Sequence, residues 1–303
     1  MTKTTARKIW LDYVKRFTTL ENKLQKVVER GIRKQVRDVA TALKRDGIQA
    51  GIAAANGLDS EYMVQHLKRI HKDGAMTEAS YNYAKYKPKQ KLRTYGYSEA
   101  WTAIIETYLN NINLLGDAAN ITDTTKRRVL QLIQQGQAEG LSIPQIVQLL
   151  MTDNIPGKRA ALIVRTELTG ATNFGSLMGV VSTGIVYQKS WLSASDERVR
   201  GMQRGARFSH VALNGDVTDL QKPFNNGEPI MYPGDKGGQG RPKTSAGNIC
   251  NCRCTMIYIP KRNSDGSIMM YNQLQQPGVP SRNLTNLLLQ ILFAGILSGN
   301  IEI

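Results

Sequence analysis

From Trp10 the apolar positions run Trp10, Tyr13, Phe17, Leu20, Leu24 and Val27. They are spaced by threes and fours, the period of a helix face packed along another helix. A second series then takes over with Val28, Ile32, Val36, Val39 and Leu43. The slip of one position at Val27/Val28 reads as a stutter. The pattern therefore predicts one long helix from about Thr4 to Arg45, with a contact face that shifts midway and a stop at Gly47.

Shorter helical patterns follow. One begins at Asp59 or Ser60 ("LDSEYMVQHLKRIHKD"), one at Ser98 ("YSEAWTAIIETYLNNI"), and one at Thr122 or Asp123 ("ITDTTKRRVLQLIQQGQAEG"), each opened by a capping residue. "LSIPQIVQLLM" carries Ser142 as cap and Pro144 in the first turn, where the missing N–H costs little. Residues 81–97, "YNYAKYKPKQKLRTYGY", are basic, aromatic and interrupted by Pro88. They are expected to form a long connection.

After "NIPGKR" a helix is predicted over 157–184, apolar at Leu162, Val164, Leu168 and Ala171. The composition then changes. "GIVYQKSWLSASDERVRG" begins as a strand, a stretch dense in Gly, Pro, Asn and Asp follows, and "CNCRCTMIYIP" has strand composition. The expected fold class is α+β, organised as a basic helical region (1–153), a compact α+β domain (154–260) and an extended C-terminal tail (261–303). The apolar run at 287–297, "LLLQILFAGIL", is expected to serve as a docking segment.

Composition changes this picture in three ways. With 303 residues, 41% of them hydrophobic, the chain can bury a core of ordinary size. The net charge is +16, and residues 1–50 hold 13 Lys/Arg against 5 Asp/Glu, half of the excess in a sixth of the chain. Such a surface binds polyanions through phosphate contacts and counterion release. No groove-reading motif accompanies it, so the expected DNA contact is non-specific. Finally, the N-terminus lacks the order of a secretory leader, the longest apolar run is too short to span a bilayer, and three cysteines do not make a disulfide framework. A reducing compartment is expected.

All three cysteines fall within "CNCRC". On a regular strand Cys250, Cys252 and Cys254 would share one face, with Asn251 and Arg253 on the other. Buried inert thiols are one reading. The other is a tetrahedral metal site completed by His210 and Asp196, for which a structural zinc is the suitable ion, although C-x-C-x-C is not the usual spacing. His210 also enters a catalytic alternative: a nuclease- or transferase-like site using His210 with Glu167 or Asp196, and Arg165 on a phosphate. His66 and His71, five apart on a helix, point to different faces and do not form a metal pair. "GGQGRPKT" is not a phosphate loop, because Pro242 stands where the second glycine belongs.

Several landmarks then follow in order: Arg165-Thr166-Glu167 with Ala171, Asn173 and Gly175; "WLSASDERVR" (191–200); "HVALNG" (210–215); "PF" (223–224); "YPGD" (232–235); and "NCRC" (251–254). This succession resembles the Mu F-like head morphogenesis family of tailed phages over about Lys158–Pro260. The resemblance implies a minor head protein: a low-copy virion component, associated with the portal and other head proteins inside the head, acting in capsid assembly and in contact with packaged DNA. It implies no enzymatic activity. The residues it carries over are Arg165, Glu167, Asn173, Trp191, Asp196, Arg198, His210, Gly215, Asn251, Cys252, Arg253 and Cys254, and Cys250 lies outside the pattern. One departure is the step between Arg200 and His210, where "GMQRGARFS" is longer than the family pattern.

Overall fold

The computed structural model describes residues 3–87, 97–153, 155–194, 196–197, 199–201, 207–238 and 241–271, with five further positions between 285 and 292. The architecture is α+β, mostly helical, with the small sheets in its latter part. Helix α1 spans Lys3–Asp46 as one uninterrupted element. Tyr13, Phe17, Leu24, Val28, Ile32, Val36, Val39 and Leu43 are buried along it. The buried series steps from Leu24 to Val28, while Val27 is only half-buried, so the stutter lies where the apolar period slips. Gly47 ends the helix with φ of 85°, a conformation that costs glycine little.

The chain forms two compact units that are not consecutive in sequence. One comprises residues 1–20, 70–112 and 165–303, the other residues 21–69 and 113–164. Three of the four boundaries fall inside the helices α1 (Lys3–Asp46), α3 (Glu61–Tyr86) and α7 (Ile155–Val181), and the fourth between α4 (Tyr97–Asn111) and α5 (Leu114–Ala138). The second unit contains α2 (Ile48–Asn56), α5 (Leu114–Ala138) and α6 (Ile143–Thr152). Its core joins Val36, Val39 and Leu43 of α1 to Val129, Ile133, Ile146 and Leu150. The start of α6 is fixed by Gln145, whose Oε1 accepts the Ser142 N–H at 2.8 Å. The N-cap of helix α5, Asn113, lies nine or ten residues before the Thr122 or Asp123 that the capping pattern predicts. Asn113, at φ 51°, breaks the chain, and Leu114, Ala118, Thr122 and Thr125 continue the buried stripe. Thr122, expected as a cap, is thus an interior position.

The other unit holds α3 (Glu61–Tyr86) from Ile70 onward, α4 (Tyr97–Asn111) and α7 (Ile155–Val181) from Arg165 onward. Of the expected connection over 81–97, residues 81–86 belong to α3 and Tyr97 to α4, and residues 88–96 lie outside the described ones. Aromatic packing extends the helices into it. Tyr83 meets Tyr97 with ring centroids 4.8 Å apart, and Tyr86 meets Tyr187 and Tyr258 at 5.8 and 5.9 Å. In α7, Val164, Leu168 and Ala171 are buried as the period predicts, but Leu162 is 48% exposed.

Strands β1 (Tyr187–Leu192), β2 (Val217–Asp219) and β5 (Thr255–Pro260) form an antiparallel sheet in the order β2-β1-β5, and β3 (Phe224–Asn225) pairs with β4 (Pro229–Ile230). The register sets Trp191 opposite Met256 and Leu192 opposite Thr255. Because β1 is central, five of its six residues are buried, which removes the alternation of a half-exposed strand. Lys189 is among them. Its Nζ donates to the Leu220 and Met231 carbonyls at 3.0 and 2.8 Å, and burial pushes its ammonium down to about 7. Residues 261–271 fold back on themselves through a bridge at Arg262/Ile268 and return to the chain before β1 through one at Ile185/Met270. The apolar segment 287–297 lies almost wholly outside the described residues. Among the described residues no helix is long and apolar enough to cross a membrane.

Two glycines set how closely α7 lies on α3. A Cβ on Gly175 would stand 2.1 Å from the Ala75 carbonyl oxygen, and one on Gly179 would stand 2.3 Å from that of Ala79. Backbone sits against backbone, with no flexible side chain to give way. Gly175→Ala is therefore expected to destabilise the fold by about 1–3 kcal/mol or more. Urea unfolding would show this as a lower midpoint, whereas Gly57→Ala, whose nearest neighbour would be 3.4 Å away, serves as a mild control.

Candidate metal centre

The site starts from one face of α7. Arg165, Thr169 and Asn173 are spaced by four and so lie one above another on the helix, with Thr166 beside them. Each makes a hydrogen bond to the segment that precedes β5. Arg165 donates to Asn251 Oδ1 at 3.0 Å, and Thr166 Oγ1 accepts the Asn251 N–H at 3.0 Å. Thr169 Oγ1 donates to the Cys252 carbonyl at 2.7 Å, and Asn173 Nδ2 to the Cys254 carbonyl at 3.1 Å. Backbone groups that a sheet would have paired are thus satisfied by a helix.

This changes the expected geometry of the cysteines. The strand begins at Thr255, and Asn251 takes a left-handed conformation at φ 57°, which asparagine tolerates better than most residues. The three thiols consequently do not share a face as a regular strand would require. Cys252 and Cys254 are buried and turn toward His210, while Cys250 is only half-buried and caps the short helix α8 (Ala246–Ile249). The Cys254 N–H points at Cys252 Sγ, 3.5 Å away.

His210 arrives from a different part of the chain. Its backbone N–H donates to the Arg200 carbonyl at 2.8 Å, which ties together the two ends of the long step. Its ring packs edge-on to Trp191, with centroids 5.2 Å apart, and Trp191 in turn meets Phe224 at 5.3 Å. His210 Nε2 is 2.9 Å from Asn248 Oδ1. The orientation of that amide is set by chemistry, because Asn248 Nδ2 faces Glu228 Oε2 at 3.2 Å and a carboxylate only accepts. Asn248 therefore presents its oxygen to the imidazole, Nε2 carries the proton, and the Nδ1 lone pair faces the sulfurs. Nδ1 lies 3.5 Å from Cys252 Sγ and 3.6 Å from Cys254 Sγ.

These distances suit a metal ion. With Zn–S near 2.3 Å and Zn–N near 2.0–2.1 Å, a tetrahedral site separates nitrogen from sulfur by about 3.6 Å. The three donor atoms all lie within 4.8 Å of one another, and the Asn248 bond is the outer partner that metal-binding histidines require. Cys252 is held well below the usual thiol range by hydrogen bonding from Cys254 and by His210, against the opposing effect of burial. Cys254 is pushed well above it by Cys252 and by burial. His210 is raised, because its partnership with Cys252 outweighs desolvation.

Other expected site residues go elsewhere. Asp196 is not among the metal donors. Its two oxygens accept from both terminal nitrogens of Arg253 at 2.6 Å, a bidentate pair that leaves the carboxylate engaged. Glu167 is buried with Oε2 2.9 Å from His71 Nε2 and 2.5 Å from Lys236 Nζ. The structure therefore brings His210 together with neither Glu167 nor Asp196, as the catalytic alternative would need, and Arg165 is bound to Asn251. Gly215 stands in a turn at φ 92° with its N–H on the Trp191 carbonyl at 2.9 Å. Arg198 lies outside the described residues. Sequence reasoning missed Asn248, Thr169, Lys236 and His71. Asn248 stands two residues before Cys250 and Lys236 directly after "YPGD", but common polar residues carry no spacing that announces such roles. A cavity of about 220 Å³ opens beside the three donors, with Glu197, Arg200 and Arg253 in its wall.

No protein-family model, curated protein or solved structure matches the chain.

The Glu167 network yields a pH dependence. Burial alone would raise this carboxyl, but the Lys236 charge and the His71 hydrogen bond bring it from 4.5 down to about 2. A lowered folded-state value contributes stability that is present above about pH 4.5 and lost as the pH falls toward 2. Unfolding free energy is expected to drop by roughly 3 kcal/mol over that interval on account of this group. Glu167→Gln should flatten that part of the profile while lowering stability at neutral pH, as read by urea unfolding at a series of pH values.

Proposed function

We propose that this chain is a minor head protein of a tailed phage, a low-copy, portal-associated component inside the head that acts in capsid assembly and contacts the packaged DNA. In this reading its α+β part is a non-catalytic module cross-linked by a structural zinc ion on His210, Cys252 and Cys254. The observation that carries the reading is the contiguity of the landmarks. Arg165 and Asn173 of α7 bind Asn251 and Cys254, Arg253 binds Asp196, and His210 faces Cys252 and Cys254. These side chains are engaged with one another and with backbone, as residues that hold a module together are. A hydrolytic site would instead converge an acid and a base on a substrate cleft.

The basic first helix supports the DNA-contacting part of the reading. Arg7, Lys8, Lys15, Lys26, Arg30 and Arg37 are exposed along α1, a display suited to phosphate contacts that weaken steeply with salt. Zinc, when bound, would supply a cross-link between two distant parts of the chain. The side chains that would hold it are already oriented by Asn248 and by the α7 hydrogen bonds.

Two measurements test the proposal. The chain should be found in assembled heads at the portal vertex and should co-purify with the portal, with no turnover of DNA or RNA; absence from particles would overturn the assignment. Purified protein should contain about one zinc per chain. Cys252→Ser should lose both the metal and several kcal/mol of stability, since structural zinc contributes folding free energy directly.

A further inference from the structure

The geometry points to a metal site with three protein donors, whose fourth position opens on the neighbouring cavity and takes water or a small exogenous anion. This rests on the metal reading of His210, Cys252 and Cys254 given above.

The chain contains three histidines and three cysteines in all. His71 is engaged with Glu167, and His66 belongs to the unit formed by residues 21–69 and 113–164. Cys250 is the C-cap of α8 and is not among the grouped donors. Outside the described residues the sequence has no histidine or cysteine, and only one carboxylate side chain, Glu302. Among the described residues no fourth histidine, cysteine or carboxylate donor joins the three. Asp196, the expected fourth donor, holds Arg253 with both oxygens. Three donors suffice to cross-link the chain, and among the described residues no fourth histidine, cysteine or carboxylate closes the shell as in an all-protein site.

The cavity supplies the space. All three donor residues line it, so an ion held by them would face its interior of about 220 Å³, room for a water or a small anion. Its wall also fixes the class of ligand. Two thiolates and a neutral imidazole balance a divalent ion, leaving the centre uncharged. Arg200 then makes the wall cationic. Its guanidinium is fixed by donating to the Asn248 and Cys250 carbonyls, both at 2.7 Å, and among the described residues it forms no ion pair. A monoanion such as azide or thiocyanate gains from that charge where a neutral donor does not. Glu197 is the one carboxylate that lines the cavity, and it is exposed.

Cobalt substitution of the full chain tests this without an activity assay. Co²⁺ should give the intense visible bands of a tetrahedral thiolate–imidazole site, and azide or thiocyanate should shift those bands saturably. Glu197→Gln should show the same spectrum and the same response. Bands unmoved by either anion in both proteins would overturn the open position while leaving the metal site standing. A response that appears only in Glu197→Gln would identify Glu197 as the fourth ligand and equally overturn it. Failure of the wild-type chain to bind cobalt or zinc would overturn the metal reading itself, and this inference with it.

Discussion

The structure around the candidate centre depends on the hydrogen bonds by which one helix face holds an irregular stretch of backbone. Residues 251–254 lead into a strand but are not in it, so their carbonyls and N–H groups lack ladder partners. Buried backbone groups without partners cost 1–3 kcal/mol each. Thr166, Thr169 and Asn173 satisfy them from α7, at positions where small polar side chains can reach across without disturbing the helix. Once that backbone is fixed, the directions of Cys252 and Cys254 follow, and so does the position of Arg253 against Asp196.

The other half of the centre depends on an amide. Asn248 is oriented by Glu228 and Asn226, and it determines which imidazole nitrogen of His210 bears the proton. The bidentate Arg200 bonds to the carbonyls of Asn248 and Cys250 tie this group to the cysteine segment. Orientation of donors by outer partners is what a metal site needs before an ion arrives. Polar side chains that read individually as surface residues thus act as a connected scaffold.

Much of this was legible in the sequence, and what was not has physical causes. The long first helix, its stutter and its stop at Gly47 follow from period alone, because a 44-residue helix repeats its signal many times. The pairing of His210 with Cys252 and Cys254 was among the sequence readings, because thiols and imidazoles are rare in this chain. Asp196 is taken up by Arg253, and Cys250 leaves the face that the three thiols would share for a local reason. Alternation holds only on a strand, and the left-handed Asn251 and the pull of α7 remove the strand there. Composition also suggested consecutive domains, yet the compact units interleave, since contacts made by one long helix can belong to different cores. Gly175 stood in the ordered landmarks without an evident cause, and the Ala75 backbone beneath it supplies one.

His210 and Cys252 lie 42 positions apart. Whatever joins them, a hydrogen bond or an ion, ties off a long excursion of chain whose described residues hold β2 to β4 and α8 as their regular structure. Closing a loop of that size costs an unfolded polymer about 3 kcal/mol in lost freedom. The knot of imidazole and sulfur therefore clasps the two ends of the excursion, while the Lys189 bonds to the Leu220 and Met231 carbonyls and the Lys236–Glu167 pair pin its middle.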